Sequence, residues 1–143
     1  MYQEIYTIAD DEELNNQLKK IFAEENDYTF KNISSNKVEE EIKNIPDLII
    51  IDEDKLTKNI IEICNLIRSY NDNTITPIIV ISSNWDKNHR VDILKNSVEY
   101  FIKSPIDEQY MYYTVKNLVR LMQTNRRVSP LTGLPGNVQI QIE

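Results

Sequence analysis

A chain of 143 residues has room for one domain with a real core. Its net charge of −7 argues against nucleic acid as a direct partner, because phosphate binding needs a basic face. One cysteine (Cys64) rules out a disulfide framework, no apolar run is long enough to span a bilayer and no signal peptide opens the chain, so a cytoplasmic location away from the membrane is expected.

Glu4–Ala9 (EIYTIA) reads as a first strand running into Asp10, Asp11 and Glu12. Leu14, Leu18, Ile21 and Phe22 then recur at helical spacing, and Asp10 or Asp11 can cap that helix by accepting its free amide hydrogens. Tyr28–Ile33 predicts a second strand, partly polar and suited to an edge. Ser34–Lys43 predicts a short helix, capped by a serine or Asn36.

Pro46–Asp54 (PDLIIIDED) is the centre of the pattern. Leu48, Ile49, Ile50 and Ile51 form a continuous apolar run, which suits a strand buried on both faces, and Asp52 stands where it leaves the core. A helix is expected over about Thr57–Tyr70, with Ile60, Ile63, Leu66 and Ile67 inward and Cys64 in its packed face. Asp72–Thr76 reads as a polar turn. Pro77 starts a fourth strand, IIVI, that closes on Ser82 and Ser83. Asp86–Asn96 is a polar amphipathic helix, Glu99–Ile102 a short fifth strand ending at Lys103, and Asp107 the cap of a last helix to about Arg127. Five βα units in a row predict a doubly wound parallel sheet with right-handed crossovers.

Strand ends carry the chemistry. In a doubly wound sheet the carboxyl ends of neighbouring strands share one edge, where ligands bind. That edge would gather Asp10 and Asp11, Asp52, Ser82 and Lys103. Crowded carboxylates hold their protons more tightly, and a hard divalent cation relieves them; Mg²⁺ needs only two or three acids because it keeps several waters. With a lysine ammonium and a serine hydroxyl to hold phosphoryl oxygens, the Asp52 carboxylate could attack phosphorus, an aspartyl-phosphate chemistry in which positioning does most of the work. The body of the chain holds no glycine-rich phosphate loop, since Gly133 and Gly136 are both late, and the first turn lacks the residues that would cradle a flavin phosphate.

The pieces IADDEEL, PDLIIID, TPIIVISS and YFIK, with their intervals, resemble response-regulator receiver domains of two-component signalling over about Tyr2–Arg127. The resemblance implies an α/β fold of the flavodoxin-like (CheY-like) type, a doubly wound five-stranded parallel sheet, (βα)5, with an extended C-terminal helix. It implies Mg²⁺-dependent transfer of a phosphoryl group from a kinase histidine. By position, Asp52 matches the phosphoacceptor, and Asp11 the direct metal ligand. Asp10 matches the acid acting through water, and Asp54 the backbone-carbonyl ligand. Ser82 and Tyr100 match the switch pair, and Lys103 the site lysine. A sensor histidine kinase or phosphotransfer protein is the expected partner, with homodimerisation through the last helix and the fourth helix–fifth strand surface. On this reading the chain is a phosphoacceptor that assists its own phosphorylation, not an enzyme in its own right.

Departures from the family pattern carry expectations of their own. Lys55 and Leu56 replace a Met-Pro pair, and Ile60 stands near a usual glycine, so the loop after Asp52 is expected to take a different path. Ser104 replaces the proline after the lysine, and Pro105 would move that bend by one residue. These changes support the alternative of a pseudo-receiver, a docking or dimerisation module that takes no phosphate. Ser83 stands where a small residue is usual, and Asp54 and Asn84 hold positions that tune hydrolysis in the family. Trp85 is read as a cap of the following helix, and His89, beside Lys87, Asn88 and Arg90, as a solvated residue.

Met111, Val115, Leu118 and Met122 make a heptad-like stripe on the last helix, which ends in Asn125, Arg126 and Arg127 and is expected to project. Ser129–Asn137 (SPLTGLPGN) then resembles the DxLTGLxN opening of GGDEF domains, the diguanylate cyclase family. Ser129 stands for the usual Asp, and Val138 for the usual Arg. The expected organisation is a receiver over 1–127 and, over 128–143, a linker and the first part of a GGDEF-like output that lacks its catalytic loop.

Overall fold

The computed structural model describes residues 2–70 and 75–128, apart from the side chains of 125–128. The turn expected at 72–76 falls mostly outside them, as does the whole GGDEF-like stretch. The chain divides into two compact units, Met1–Tyr112 and Tyr113–Glu143.

The first unit alternates strand and helix. Its strands are β1 (Gln3–Ile8), β2 (Tyr28–Ile33), β3 (Leu48–Asp52), β4 (Ile78–Ser82) and β5 (Tyr100–Lys103). Between them lie helices α1 (Glu13–Ile21), α2 (Val38–Glu41), α3 (Ile60–Ser69) and α4 (Lys87–Leu94). Helix α5 starts at Glu108, where Asp107 Oδ1 accepts from Tyr110 N–H at 2.8 Å as a cap should, and continues through the described part of the second unit to Val128.

All pairings are parallel, in the order β2-β1-β3-β4-β5, the flavodoxin-like arrangement expected from the βα alternation. The chain reverses direction across the sheet between β1 and β3, which makes their carboxyl ends the topological switch point.

Pleat alternation divides the central apolar run. Ile49 and Ile51 join one core with Tyr6, Ile8, Ile78 and Val80, covered by Val38 and Ile42 of the α2 segment, Ile60, Ile63, Cys64 and Ile67 of α3, and Ile93 of α4. Leu48 and Ile50 face the other way and are equally buried. There Thr7 of β1 donates to Asn15 Oδ1 of α1 at 2.9 Å. At the end of α1, Phe22 lies 5.0 Å from both the Tyr28 and Tyr112 rings.

Several helices start later than their apolar pattern predicts, because capping chemistry decides. Asn59, not Thr57, opens α3: its Oδ1 accepts from Ile61 and Glu62 N–H. The α2 segment begins as a 3-10 turn, Ser35–Lys37, whose N-cap residue Ser34 makes no side-chain cap bond, while the Ser35 hydroxyl donates to Asp10. Trp85 does not cap α4; the Asp86 carboxylate does, accepting from His89 N–H at 3.2 Å. The bend after β5 is a cis bond at Ser104–Pro105, one residue on, as Pro105 suggested.

Candidate functional site

The site lies at the carboxyl ends of β1, β3, β4 and β5. Ile8 pairs with Ile51, Asp52 with Ile81, and Ser82 with Lys103, so Asp52, Ser82 and Lys103 stand at strand ends on one edge, with Asp10 and Asp11 just past the end of β1. After Asp52 the chain makes one 3-10 turn, Glu53–Lys55, and the Lys55 carbonyl accepts from Asp10 N–H at 2.8 Å. That bond ties the loop after β3 to the loop after β1. A cavity of about 220 Å³ opens here, lined among others by Asp52, Asp54, Lys55, Glu13, Ile81 and Pro105.

Asp52 is half-buried, and its Oδ1 is fully enclosed with no hydrogen-bond partner. Burial, then the charge of Asp54, push its pKa up to about 6; the Asp54 N–H and the Lys55 ammonium pull the other way, and Asp11 adds to the rise. An enclosed carboxylate oxygen without a donor is costly in a fold unless something arrives to pair with it.

The acid pair after β1 is divided between two tasks. Asp10 turns toward neighbouring loops: it accepts from Ser35 N–H (2.8 Å), the Ser35 hydroxyl (2.6 Å) and Thr57 N–H (2.7 Å). Burial opposes its charge, but these bonds outweigh burial and hold its pKa below the usual carboxylate range. Asp11 does not line the cavity itself but holds two groups, Glu13 N–H and Lys55, whose residues do. Its Oδ1 accepts from Glu13 N–H at 3.0 Å and its Oδ2 pairs with the Lys55 ammonium at 3.2 Å. The Glu13 N–H first, and Lys55 after it, lower its pKa.

Asp54 accepts from Ser83 through both backbone N–H and hydroxyl, at 3.0–3.2 Å. Ser82 is fully buried, and its Oγ accepts from Asn84 N–H at 3.0 Å, which leaves its own hydrogen to donate. Lys103 is exposed, and among the described residues no ion pair joins it to Asp52. Tyr100 is half-exposed. Among the described residues no three His, Cys, Asp or Glu side chains converge as a ready metal cluster.

Two features lie beyond what local sequence shows. Lys55 pairs with both Asp11 and Glu13 at 3.2 Å; a lysine closing the acidic run IDEDK was the available signal. His89 is not the solvated residue its neighbours suggest: its Nε2 lies 2.8 Å from both Glu53 oxygens and its ring meets Phe101 edge-on. Trp85 rests 5.4 Å from Phe101, with the Arg90 guanidinium 4.3 Å over its ring. Leu56 packs on the core, and Ile60 is buried as the first residue of α3.

No protein-family model matches the chain, and a search of curated proteins gives no significant match. Solved structures do match. A signal receiver domain from Vibrio parahaemolyticus aligns with TM-score 0.80 at 17% identity, over 91% of this chain and 99% of its own. A signal receiver domain of a two-component histidine kinase from Clostridium thermocellum aligns with TM-score 0.74 at 22% identity, over 84% and 99%. The receiver domain of a sensor histidine kinase from Pseudomonas aeruginosa, described with a magnesium ion coordinated in its active-site cleft, gives 0.71 at 14% identity, over 84% and 99%. At these identities the likeness speaks to architecture, and the chain has the five-stranded α/β fold of CheY-like receiver domains.

Proposed function

We propose that this chain is a receiver module in which Asp52 accepts a phosphoryl group from a phosphohistidine donor of a sensor kinase or phosphotransfer protein. The carrying observation is the Asp52 carboxylate itself, at the switch point beside a cavity, with one oxygen enclosed and unpartnered. An Asp52 oxygen forms the new bond to phosphorus as the bond from phosphorus to the donor imidazole breaks, and the imidazole leaves with the electron pair. The Ser82 hydroxyl and the Lys103 ammonium, at paired positions on β4 and β5, hold the transferred oxygens.

Asp52, Asp11 and the Asp54 backbone carbonyl are hard oxygen donors suited to Mg²⁺, and the enclosed Asp52 oxygen fits such a role; a water-mediated part for Asp10 would have to coexist with its bonds to Ser35 and Thr57. When bound, the ion neutralises part of the charge on acids and phosphoryl group alike. A receiver over 1–127 would then bias the Ser82 and Tyr100 side chains and the surface of α4 and β5, where Val91, Leu94 and Tyr100 are exposed. That surface, with the last helix, supports a homodimer, and residues 128–143 support a GGDEF-type, cyclic di-GMP output.

Intact mass after acetyl phosphate and Mg²⁺ tests the reading. One phosphoryl adduct is expected on wild type and none on Asp52→Asn; no adduct on either overturns it. A pseudo-receiver is favoured by one observation, the capture of Asp10 by Ser35 and Thr57, and it predicts no adduct and an unchanged oligomeric state.

A further inference from the structure

We propose that Lys55 is a resident counter-cation of the pocket, which a divalent cation must push off Asp11 before it can bind. The inference rests on the receiver reading above and adds a competitor to it. Both oxygens of Asp11 are already engaged, Oδ1 by the Glu13 N–H and Oδ2 by Lys55 Nζ. Each oxygen keeps a second lone pair, so what opposes an incoming dication is the charge of the ammonium at Oδ2, which the neutral Glu13 N–H at Oδ1 does not carry. The Glu13 N–H is fixed in the first turn of α1, whereas the ammonium sits on a flexible stem.

Lys55 also has somewhere to go. Its Nζ is already 3.2 Å from Glu13 Oε1, so it keeps one partner after leaving Asp11. Both ion pairs are partly solvated, with side-chain exposure of 39% for Lys55 and 46% for Asp11, so exchange is easy. The tether is firm at the backbone. The Lys55 carbonyl accepts from Asp10 N–H, and Leu56 N–H closes the 3-10 turn on Glu53 at 3.2 Å. The ammonium is thus held at the pocket whether or not it touches Asp11. Lys103 and Lys58 form no ion pair with these acids among the described residues, which leaves Lys55 as their neutralising charge.

The experiment is calorimetric titration of the folded protein with MgCl₂. Lys55→Met and Lys55→Gln are compared with wild type, and Lys58→Met serves as a control that removes the same charge nearby; circular dichroism checks folding. Both Lys55 variants should bind Mg²⁺ about three- to tenfold more tightly, as expected for loss of a partly exposed competing charge. Lys58→Met should stay near wild type. Unchanged affinity in both Lys55 variants, or an equal gain in Lys58→Met, overturns the proposal and leaves the receiver reading intact. No binding by wild type or by either Lys55 variant overturns the metal site itself, and the proposal with it.

Discussion

The Asp52 carboxyl ionises near pH 6 because half of it is out of water and Asp54 lies close by. Its folded-state pKa is above the unfolded value of 3.8, so the fold binds this proton more tightly than the open chain does. Stability from this group is therefore complete below pH 4 and is lost as pH rises through about 6. Asp52→Asn removes that loss: urea unfolding at pH 7.5 should show a gain of about 1–2 kcal/mol, discounted for partial exposure, and no gain at pH 3.5. On the receiver reading it is the ionised form that would attack phosphorus, since the neutral acid is no nucleophile. Cys64 stays out of this chemistry: burial pushes its thiol up to about 12.

Among the elements, α3 and α4 are anchored differently. Helix α3 buries Ile60, Ile63, Cys64 and Ile67 and has a side-chain cap. Helix α4 buries only Ile93 and is held besides by His89 on Glu53 and by the Trp85–Phe101 contact. Glu53 directly follows Asp52, so the pair links α4 to the loop after β3. His89→Ala should speed hydrogen exchange at α4 amides several-fold, because a partly exposed pair contributes under about 1 kcal/mol, while global unfolding barely moves. An equal acceleration throughout the sheet would show that the pair serves the whole fold instead.

At the scale of the molecule, the sheet stands on β3, whose apolar residues are fully buried on both faces. Ile50→Ala should cost about 2–5 kcal/mol in chemical denaturation, a large share of a margin of about 5–15 kcal/mol. Such a strand is easy to read in sequence, because four consecutive apolar residues before an acid allow few other placements. The order of the sheet follows from the βα alternation, and with it the meeting of Asp11, Asp52, Ser82 and Lys103 at one edge. What the side chains do there was less legible. Asp10 is claimed by Ser35 and Thr57, 25 and 47 residues away, and His89 finds Glu53 across 36 residues, contacts that no local spacing encodes. Helix starts were blurred for a related reason: hydrophobic period marks a face, whereas Asn59 and Asp86 mark the ends.

Trp85, the sole tryptophan, lies between the Phe101 ring and the Arg90 guanidinium, bridging the start of α4 and β5. An indole in that position is a built-in optical probe. A shift of α4 against β5 would move the guanidinium or the neighbouring ring and change the emission of a single fluorophore, so any such movement can be followed in stopped flow without a label.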